Sequence, residues 1–110
     1  MFVKTLPYAT GELRHRSYWV DGQKHRLDGP ALIEYTTCSV PRREVYYLNG
    51  ELHREDGPAL IRRRENGLIF DWELHKNGIE LNKSAFKGTV DPDTGRVLDQ
   101  ASFDLIFNVL

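Results

Sequence analysis

Two stretches of this chain are nearly identical and begin 28 residues apart. Residues 25–33 read HRLDGPALI, and residues 53–61 read HREDGPALI. When the comparison is widened to residues 18–33 and 46–61, ten of the sixteen aligned positions are identical. A repeat with so short a period is typical of a small structural unit that is used more than once and buries its apolar face against its neighbours.

The repeat extends beyond its two best copies. We assign full copies to residues 18–35 and 46–63 and degenerate copies to residues 8–16 and 74–86. The first degenerate copy rests on the similarity of TGELRHR to NGELHR, and the second on an Asn-Gly pair that recurs after another 28 residues. Degenerate units are expected at the ends of an array, because terminal units must cap it. The sequence thus predicts a single domain with a repeat region over residues 8–86.

Each full copy reads as strand, turn, loop and strand. The aromatic and β-branched runs SYWV and VYYL end in Asp-Gly and Asn-Gly pairs, which are strong signals for tight hairpin turns. The DGPA stretch predicts a second turn, in which Gly29 and Gly57 can adopt positive φ and the proline after each pushes it toward extended geometry. The runs ALIEY and ALIRR predict the returning strands. The predicted fold class is therefore mainly β: an antiparallel sheet of tandem β-hairpin repeats with a short C-terminal helix.

Residues 59–75, ALIRRRENGLIFDWELH, read as the clearest hairpin. A two-residue Asn-Gly loop would set a register in which Arg62 faces Asp71 and Arg63 faces Phe70. Opposite charges facing each other across strands stabilise a sheet by about 0.2–1 kcal/mol. The arginine run in this hairpin is therefore explained by ordinary sheet chemistry and does not require a phosphate ligand.

The C-terminal segment, residues 87–110, differs in charge and pattern. Residues 11–64 hold ten basic and eight acidic residues, whereas residues 65–110 hold four basic and eight acidic ones. The stretch DPDTG is rich in turn-forming residues. The final run VLDQASFDLIFNVL fits a helix with Asp99 as its N-cap, although LIFNVL also suits a strand. We favour the helix, with these apolar residues at helical spacing: Leu98, Ala101, Leu105, Ile106 and Val109.

Polar side chains recur at the same positions of both full copies. A loop that crosses between strands must have its backbone groups satisfied. An Asp before a Gly accepts hydrogen bonds from nearby N–H groups, and a neighbouring His or Arg can donate to carbonyls or to that Asp. We therefore interpret six residues as a structural clasp that is built twice: His25, Arg26 and Asp28, then His53, Arg54 and Asp56.

The same residue types leave two chemical alternatives open. Arg26 and Arg54 could line a site that binds or sequesters a phosphate or nucleotide. His25 and His53 could act as acid–base groups of a phosphodiester hydrolase. We predict no metal site, because equivalent positions in neighbouring repeats lie too far apart to share one ion. No cofactor is predicted either, since the sequence holds no phosphate loop, nucleophile elbow or metalloprotease motif.

Two sets of residues are candidates for a partner surface. Tyr, Trp and Arg dominate the energetics of protein interfaces. An exposed aromatic row is therefore one candidate, formed by Trp19, Tyr47 and Trp72. The acidic C-terminal segment is the other, as a nucleic-acid mimic toward a basic partner, through Asp91, Asp93, Asp99 and Asp104.

Charge and cysteine content narrow the function classes further. The net charge is −1, so the chain has no global attraction to nucleic acid or to an anionic membrane, and direct binding to either is not expected. A single cysteine, Cys38, excludes a disulfide within the chain. The N-terminus lacks the pattern of a signal peptide, and no run of residues has the length of a membrane span. These features predict a cytoplasmic protein.

The repeats YWVDGQKHRLDGPA and YYLNGELHREDGPA resemble a MORN-like repeat that recurs in small proteins of tailed bacteriophages and large viruses. The resemblance covers residues 8–86. The chain departs from MORN repeats proper in its spacing of Tyr and Gly, so their association with membranes is not carried over. The resemblance implies a phage-encoded, non-enzymatic module that binds, and by binding inhibits, a host protein or defence system in the manner of an anti-CRISPR protein. It would act in the host cytoplasm.

Overall fold

The computed structural model describes residues 2–7, 13–36, 38, 40–86 and 88–108, and it confirms a mainly β fold with one short C-terminal helix. In chain order the strands are β1 (Phe2–Pro7), β2 (Leu13–Val20), β3 (Gln23–Lys24), β4 (Leu32–Tyr35), β5 (Pro41–Val45), β6 (Tyr47–Leu48), β7 (Glu51–Leu52), β8 (Leu60–Arg63), β9 (Ile69–Lys76) and β10 (Ile79–Leu81). A single 3-10 turn (Lys83–Ala85) and helix α1 (Gln100–Phe107) follow them.

The strands form one antiparallel sheet in the order β1-β2-β4-β5-β8-β9-β10, with β3 paired to β2. The short strands β6 and β7 pair only with each other. The 28-residue period is visible in the elements themselves. Strand β2 recurs 28 residues later as β5 with β6, and again as β9, while β4 recurs as β8.

The structural unit begins earlier than the sequence repeat suggested. Within the proposed degenerate copy at 8–16, residues 8–12 lie outside the described part of the chain. Residues 13–16 form the first half of β2 and so belong to the first full unit. The degenerate copy at 74–86 contains the end of β9, an Asn-Gly turn, β10 and the 3-10 turn. The C-terminal copy therefore keeps the hairpin and loses the loop that follows it.

The hairpin turns of the repeat have the same backbone geometry. Asp21, Asn49 and Asn77 have φ of 50°, 50° and 48°, and the glycine after each of them has φ of 77°, 81° and 83°. Two successive positive φ values define the type I′ turn, whose twist matches the flanking strands. Residues with a short polar side chain followed by glycine adopt these angles at low cost, which explains the Asp-Gly and Asn-Gly pairs.

The hairpin of β8 and β9 has a different turn from the one predicted. The pairing of Arg62 with Asp71 is confirmed, with their side chains 3.0 Å apart. Beyond it a bulge shifts the register, so Arg63 faces Ile69 and its predicted pairing with Phe70 is wrong. Only the glycine of the Asn-Gly pair has positive φ, at 87°. The loop is therefore three residues long, with glycine at its last position, and no type I′ turn forms.

The bulge also exchanges the roles of neighbouring arginines. Arg64 lies over the ring of Phe70, at 5.2 Å from its centroid, where Arg63 had been expected. Arg63 instead turns to the face covered by the C-terminal segment. Its guanidinium contacts the carboxylate of Glu44 and donates to the carbonyl oxygens of Pro92 and Asp93, at 2.6 and 2.8 Å. The bulge thus supplies an anchor for the C-terminal segment.

Helix α1 begins where the sequence predicted, with Asp99 as its N-cap. The carboxylate of Asp99 accepts hydrogen bonds from the hydroxyl and the N–H of Ser102, and these bonds lower the pKa of Asp99. The buried face is not the predicted one, since Leu98 and Leu105 are exposed. Phe103 and Phe107, four residues apart, are buried instead.

Helix α1 buries its phenylalanines and not its leucines because the two phenylalanines offer a larger apolar face. Ala101 is also exposed, Ile106 is half-buried, and Val109 lies outside the described residues. Phe103 is fully buried and stacks on Phe107, with the ring centroids 5.5 Å apart. This aromatic core packs under the last hairpin, together with Leu74, Leu81, Phe86 and Val97.

The helix covers only part of one side of the sheet. The molecule measures 45 × 35 × 18 Å, a flat shape whose thickness fits two layers of structure and no more. A second, smaller cluster of buried residues lies away from the helix and consists of Leu32, Val45 and Leu60. Within the described residues, no helix has the length and apolar character needed to cross a bilayer.

Candidate functional site

The repeated polar residues lie in two equivalent loops, which we call loop 1 (residues 25–30) and loop 2 (residues 53–58). In loop 2, the Arg54 guanidinium stacks on the ring of Tyr46, 4.0 Å from its centroid. Its Nε donates to Asp56 at 2.7 Å, and its Nη1 donates to the carbonyl of Pro58 at 3.2 Å. Nη2 donates to the carbonyl of Thr94 at 3.0 Å. Every nitrogen of this guanidinium is thus hydrogen-bonded within the protein.

Loop 1 repeats most of these contacts. Arg26 stacks on Tyr18 at 4.0 Å, its Nε donates to Asp28 at 3.0 Å, and its Nη1 donates to the carbonyl of Pro30 at 3.3 Å. The hydrogen bond and charge of Arg26 lower the pKa of the Asp28 carboxyl. In both loops the arginine therefore links a tyrosine, an aspartate and a backbone carbonyl of its own repeat.

The histidines make a contact that the sequence analysis did not anticipate. His25 Nδ1 accepts a hydrogen bond from the N–H of Asn49 at 3.0 Å, and His53 Nδ1 accepts one from the N–H of Asn77 at 3.0 Å. We had expected these rings to donate. Because Nδ1 accepts, the proton of the neutral ring is on Nε2, which in His53 lies 3.4 Å from the carboxylate of Glu55.

Each histidine therefore binds the hairpin turn of the next repeat. A backbone hydrogen bond reinforces this contact between repeats, since the carbonyl of Lys24 accepts from the N–H of Gly50 at 2.9 Å. The equivalent bond in the next unit joins Leu52 and Gly78 at 2.8 Å. In both units the loop of one copy thus fastens the turn of the following copy, which gives a physical reason for repeating His with an Asx-Gly turn.

The glycines of the loops serve close packing, and neither of them adopts the positive φ that glycine allows. A Cβ on Gly57 would lie 2.5 Å from the carbonyl oxygen of Gly95 and 3.3 Å from the Cα of Arg96. The three atoms nearest to a Cβ on Gly29 would all belong to the Arg26 guanidinium, the first at 3.0 Å. Loop 2 is therefore pressed against the C-terminal segment, and loop 1 is not.

Loops 1 and 2 border a groove of about 790 Å³. Its floor and walls include Tyr46, Glu44 and Leu48, with Thr94 and Arg96 on the side of loop 2. The burial of Tyr46 raises the pKa of its phenol. Among the described residues, this is the surface where the repeated polar side chains come together.

The three candidate aromatics do not form one row. Trp19 and Tyr47 are half-buried neighbours, and Lys24 Nζ lies 5.3 Å from the centroid of each ring. Trp72 belongs to the helix-covered core, where it packs edge-on against Phe86. The structure thus brings together only two of the three residues proposed for this surface.

The four acidic residues proposed for a partner surface also have different environments. Asp99 caps the helix, and Asp91 Oδ1 accepts from the backbone N–H groups of Asp93 and Thr94. Asp104 accepts from the side chain of Gln100 at 2.8 Å, whereas Asp93 is exposed. Asp91 and Asp99 are therefore engaged in local structure, so the four carboxylates do not form a free acidic stripe.

One cluster has residue types that could hold a divalent cation: Glu73, His75 and Glu80, whose candidate ligand atoms all lie within 4.8 Å of one another. Hydrogen bonds and ion pairs within the protein also explain why these side chains lie close together. His75 Nε2 lies 3.1 Å from the carboxylate of Glu73, which Arg62 also contacts at 3.2 Å. These bonds, first that of His75, lower the pKa of Glu73.

Similarity to known proteins was sought among family models, curated proteins and solved structures. No family model matches the chain, and no curated protein or solved structure is significantly similar to it. The groove between the two repeat loops is therefore the feature of the molecule from which we infer a function.

Proposed function

We propose that this protein is a non-enzymatic binding module that engages a partner protein through the groove between loop 1 and loop 2. The observation that carries the proposal is the state of the repeated His, Arg and Asp side chains. All three guanidinium nitrogens of Arg54 and Nδ1 of both histidines bind the protein's own atoms, and Arg26 and Arg54 each pair with the aspartate of their loop. Acid–base chemistry requires such groups to reach a substrate.

The composition of the groove supports a protein partner. Leu27, at its mouth, is 82% exposed although it is a large apolar residue. Tyr46 and Arg26 line the same groove. Exposed apolar residues rimmed by aromatic and charged side chains are typical of protein-binding surfaces.

A phosphate or nucleotide ligand is the weaker alternative. Arg54 is fully engaged within the protein, which leaves Arg26 and Arg96 as the guanidinium groups that could meet an anion. Four carboxylates line the same groove and would repel it: Asp28, Glu44, Glu55 and Asp56.

The resemblance of the repeat to those of bacteriophage proteins supports the finer part of the proposal. On this view the partner is a host protein, and binding inhibits it or the defence system to which it belongs. The chemistry of the groove selects for a partner surface with basic and apolar groups, because its own lining is rich in carboxylates.

A photo-crosslinking amino acid at position 27 tests the binding surface. In a lysate of host bacteria, we expect the variant with the probe at Leu27 to form one discrete covalent adduct. The control carries the same probe at Leu68, another exposed leucine, which is 56% exposed against 82% for Leu27 and lies next to the turn of the β8–β9 hairpin. No adduct from position 27, or the same adduct from both positions, would contradict the proposed surface.

A further inference from the structure

The C-terminal segment shows what loop 2 is able to bind. The main chain of residues 94–97 lies along it, with the Thr94 carbonyl accepting from Arg54. The N–H of Val97 donates to the carbonyl of Asp56 at 2.8 Å, and the Arg96 guanidinium lies 3.3 Å from the carboxylate of Asp56. Loop 2 thus holds residues 94–97, the end of a hairpin turn in which Gly95 has φ of +73°, through one guanidinium, one carbonyl and one carboxylate.

Loop 1 presents the same three groups without such a cover. Its arginine and aspartate are in equivalent positions, yet the side chain of Arg26 is 22% exposed against 5% for Arg54, and that of Asp28 is 83% exposed against 44% for Asp56. Within the described part of the chain, the only acceptors of Arg26 side-chain hydrogen bonds are Asp28 and the Pro30 carbonyl. The donor that in loop 2 holds the segment is therefore available in loop 1.

We propose that loop 1 binds a turn of the partner protein that contains a Gly-Arg pair, in the way that loop 2 binds residues 94–97. This inference rests on the proposed function, and it names the chemistry that the groove selects. The partner's arginine would pair with Asp28, its preceding carbonyl would accept from Arg26, and its following N–H would donate to the Asp28 carbonyl.

The glycine of the pair is needed for two reasons visible in the occupied loop. Gly95 has φ of +73°, which residues with a side chain rarely adopt, and a Cβ there would overlap Ile61. Its carbonyl also lies directly against Gly57. Ile33 holds the position of Ile61 in the first repeat and is half-buried, whereas Ile61 is fully buried. An apolar contact is thus left for the incoming segment.

The repeat also limits how much of the segment is recognised. In the second repeat Arg63 binds the carbonyls of Pro92 and Asp93. The equivalent residue of the first repeat is Tyr35, which has no guanidinium. We therefore expect recognition to be confined to the four residues around Gly-Arg. The occupant is supplied by another protein, because the chain's own Gly95 and Val97 are already buried on loop 2.

The probe for this proposal is a labelled, end-capped peptide of residues 90–98, VDPDTGRVL, titrated into the full chain. Fluorescence anisotropy gives the affinity, and backbone amide NMR gives the site. We expect saturable binding with shifts at residues 25–33. Gly29→Ala should weaken binding by about tenfold or more, since its Cβ would occupy the place of the peptide backbone. Replacing the arginine of the peptide by glutamine should have a similar effect.

Two controls separate loss of the site from loss of the fold. Leu105→Ser changes an exposed helix position and should leave the affinity unchanged. The amide spectrum of Gly29→Ala should remain that of a folded protein, because only the flexible Arg26 side chain must move. Absence of saturable binding, binding that Gly29→Ala does not weaken, or shifts centred on residues 53–58 would overturn the proposal. Self-association of the chain alone through loop 1 would overturn it as well.

The outcome is distinguishable from failure of the proposed function. If the probe at position 27 crosslinks a partner but the peptide does not bind, the groove is a binding surface and the Gly-Arg chemistry is wrong. If the peptide binds loop 1 but no adduct forms at position 27, the Gly-Arg chemistry of loop 1 holds and the proposed engagement of a host protein at the mouth of the groove is wrong.

Discussion

Replacing Arg54 by alanine should lower the free energy of unfolding by about 3 kcal/mol, a large share of the 5–15 kcal/mol of a typical domain. The substitution removes a 95% buried side chain and leaves the carbonyls of Pro58 and Thr94 without their donor. It also removes the guanidinium that packs on Tyr46. Denaturant unfolding monitored by tryptophan fluorescence measures the loss.

The matched control is Arg26→Ala, which changes the same residue of the other repeat. Arg26 donates to one carbonyl and is more exposed, so we expect a loss of about 1 kcal/mol. Arg54→Met keeps part of the apolar packing and removes the donors, and it should recover only a small part of the stability. Equal losses for Arg54→Ala and Arg26→Ala would show that the contact with the C-terminal segment contributes nothing.

Gly57→Ala should be comparably destabilising, by about 3 kcal/mol, with a fall in Tm of about 10 °C. The new Cβ would lie 2.5 Å from a backbone oxygen, that of Gly95, which cannot rotate away as a side chain can. The C-terminal segment must then leave loop 2 and give up its bonds to Arg54 and Asp56. Calorimetry gives the Tm, and amide NMR shows whether residues 94–97 have shifted.

Gly29→Ala is the corresponding control in loop 1. The atoms nearest to its Cβ would be those of the flexible Arg26 guanidinium, and alanine restricts the unfolded chain more than glycine does. We therefore expect a change of less than about 1 kcal/mol, in either direction. A large loss in Gly29→Ala with none in Gly57→Ala would reverse our assignment of which loop is covered.

The parts of the fold that depend on local chemistry could be predicted from the sequence. The Asx-Gly pairs at Asp21 and Asn49 form the predicted tight hairpin turns, and the capping aspartate of α1 precedes a periodic apolar run. The turn predicted at Asn66 was wrong because an Asn-Gly pair also fits a three-residue loop with glycine last. Which of the two loops forms depends on where the flanking arginines pack. The buried face of α1 likewise depends on the hairpin it meets.

The arginine contacts of the two loops, to an aspartate and to a backbone carbonyl, could be predicted from the sequence, and the histidine contacts could not. Arg26 and Asp28 were placed together because both lie in one loop. The bond from Asn49 to His25, and the bond from Asn77 to His53, each span 24 residues and join different repeats. The constant spacing between the His and the next Asx-Gly pair was the available signal. Nothing local indicated that residues 94–97 dock on only one of two nearly identical loops.

The central claim is that the repeated histidines fasten each repeat to the next through its main chain. Amide hydrogen exchange at Asn49 and Asn77 tests it most directly, in the wild type, His25→Ala and His53→Ala. We predict that His25→Ala accelerates exchange at Asn49 and leaves Asn77 protected, and that His53→Ala does the reverse. His53→Asn, whose side-chain oxygen can accept in place of Nδ1, should restore protection at Asn77. Unchanged exchange at both amides in both alanine variants would contradict the account.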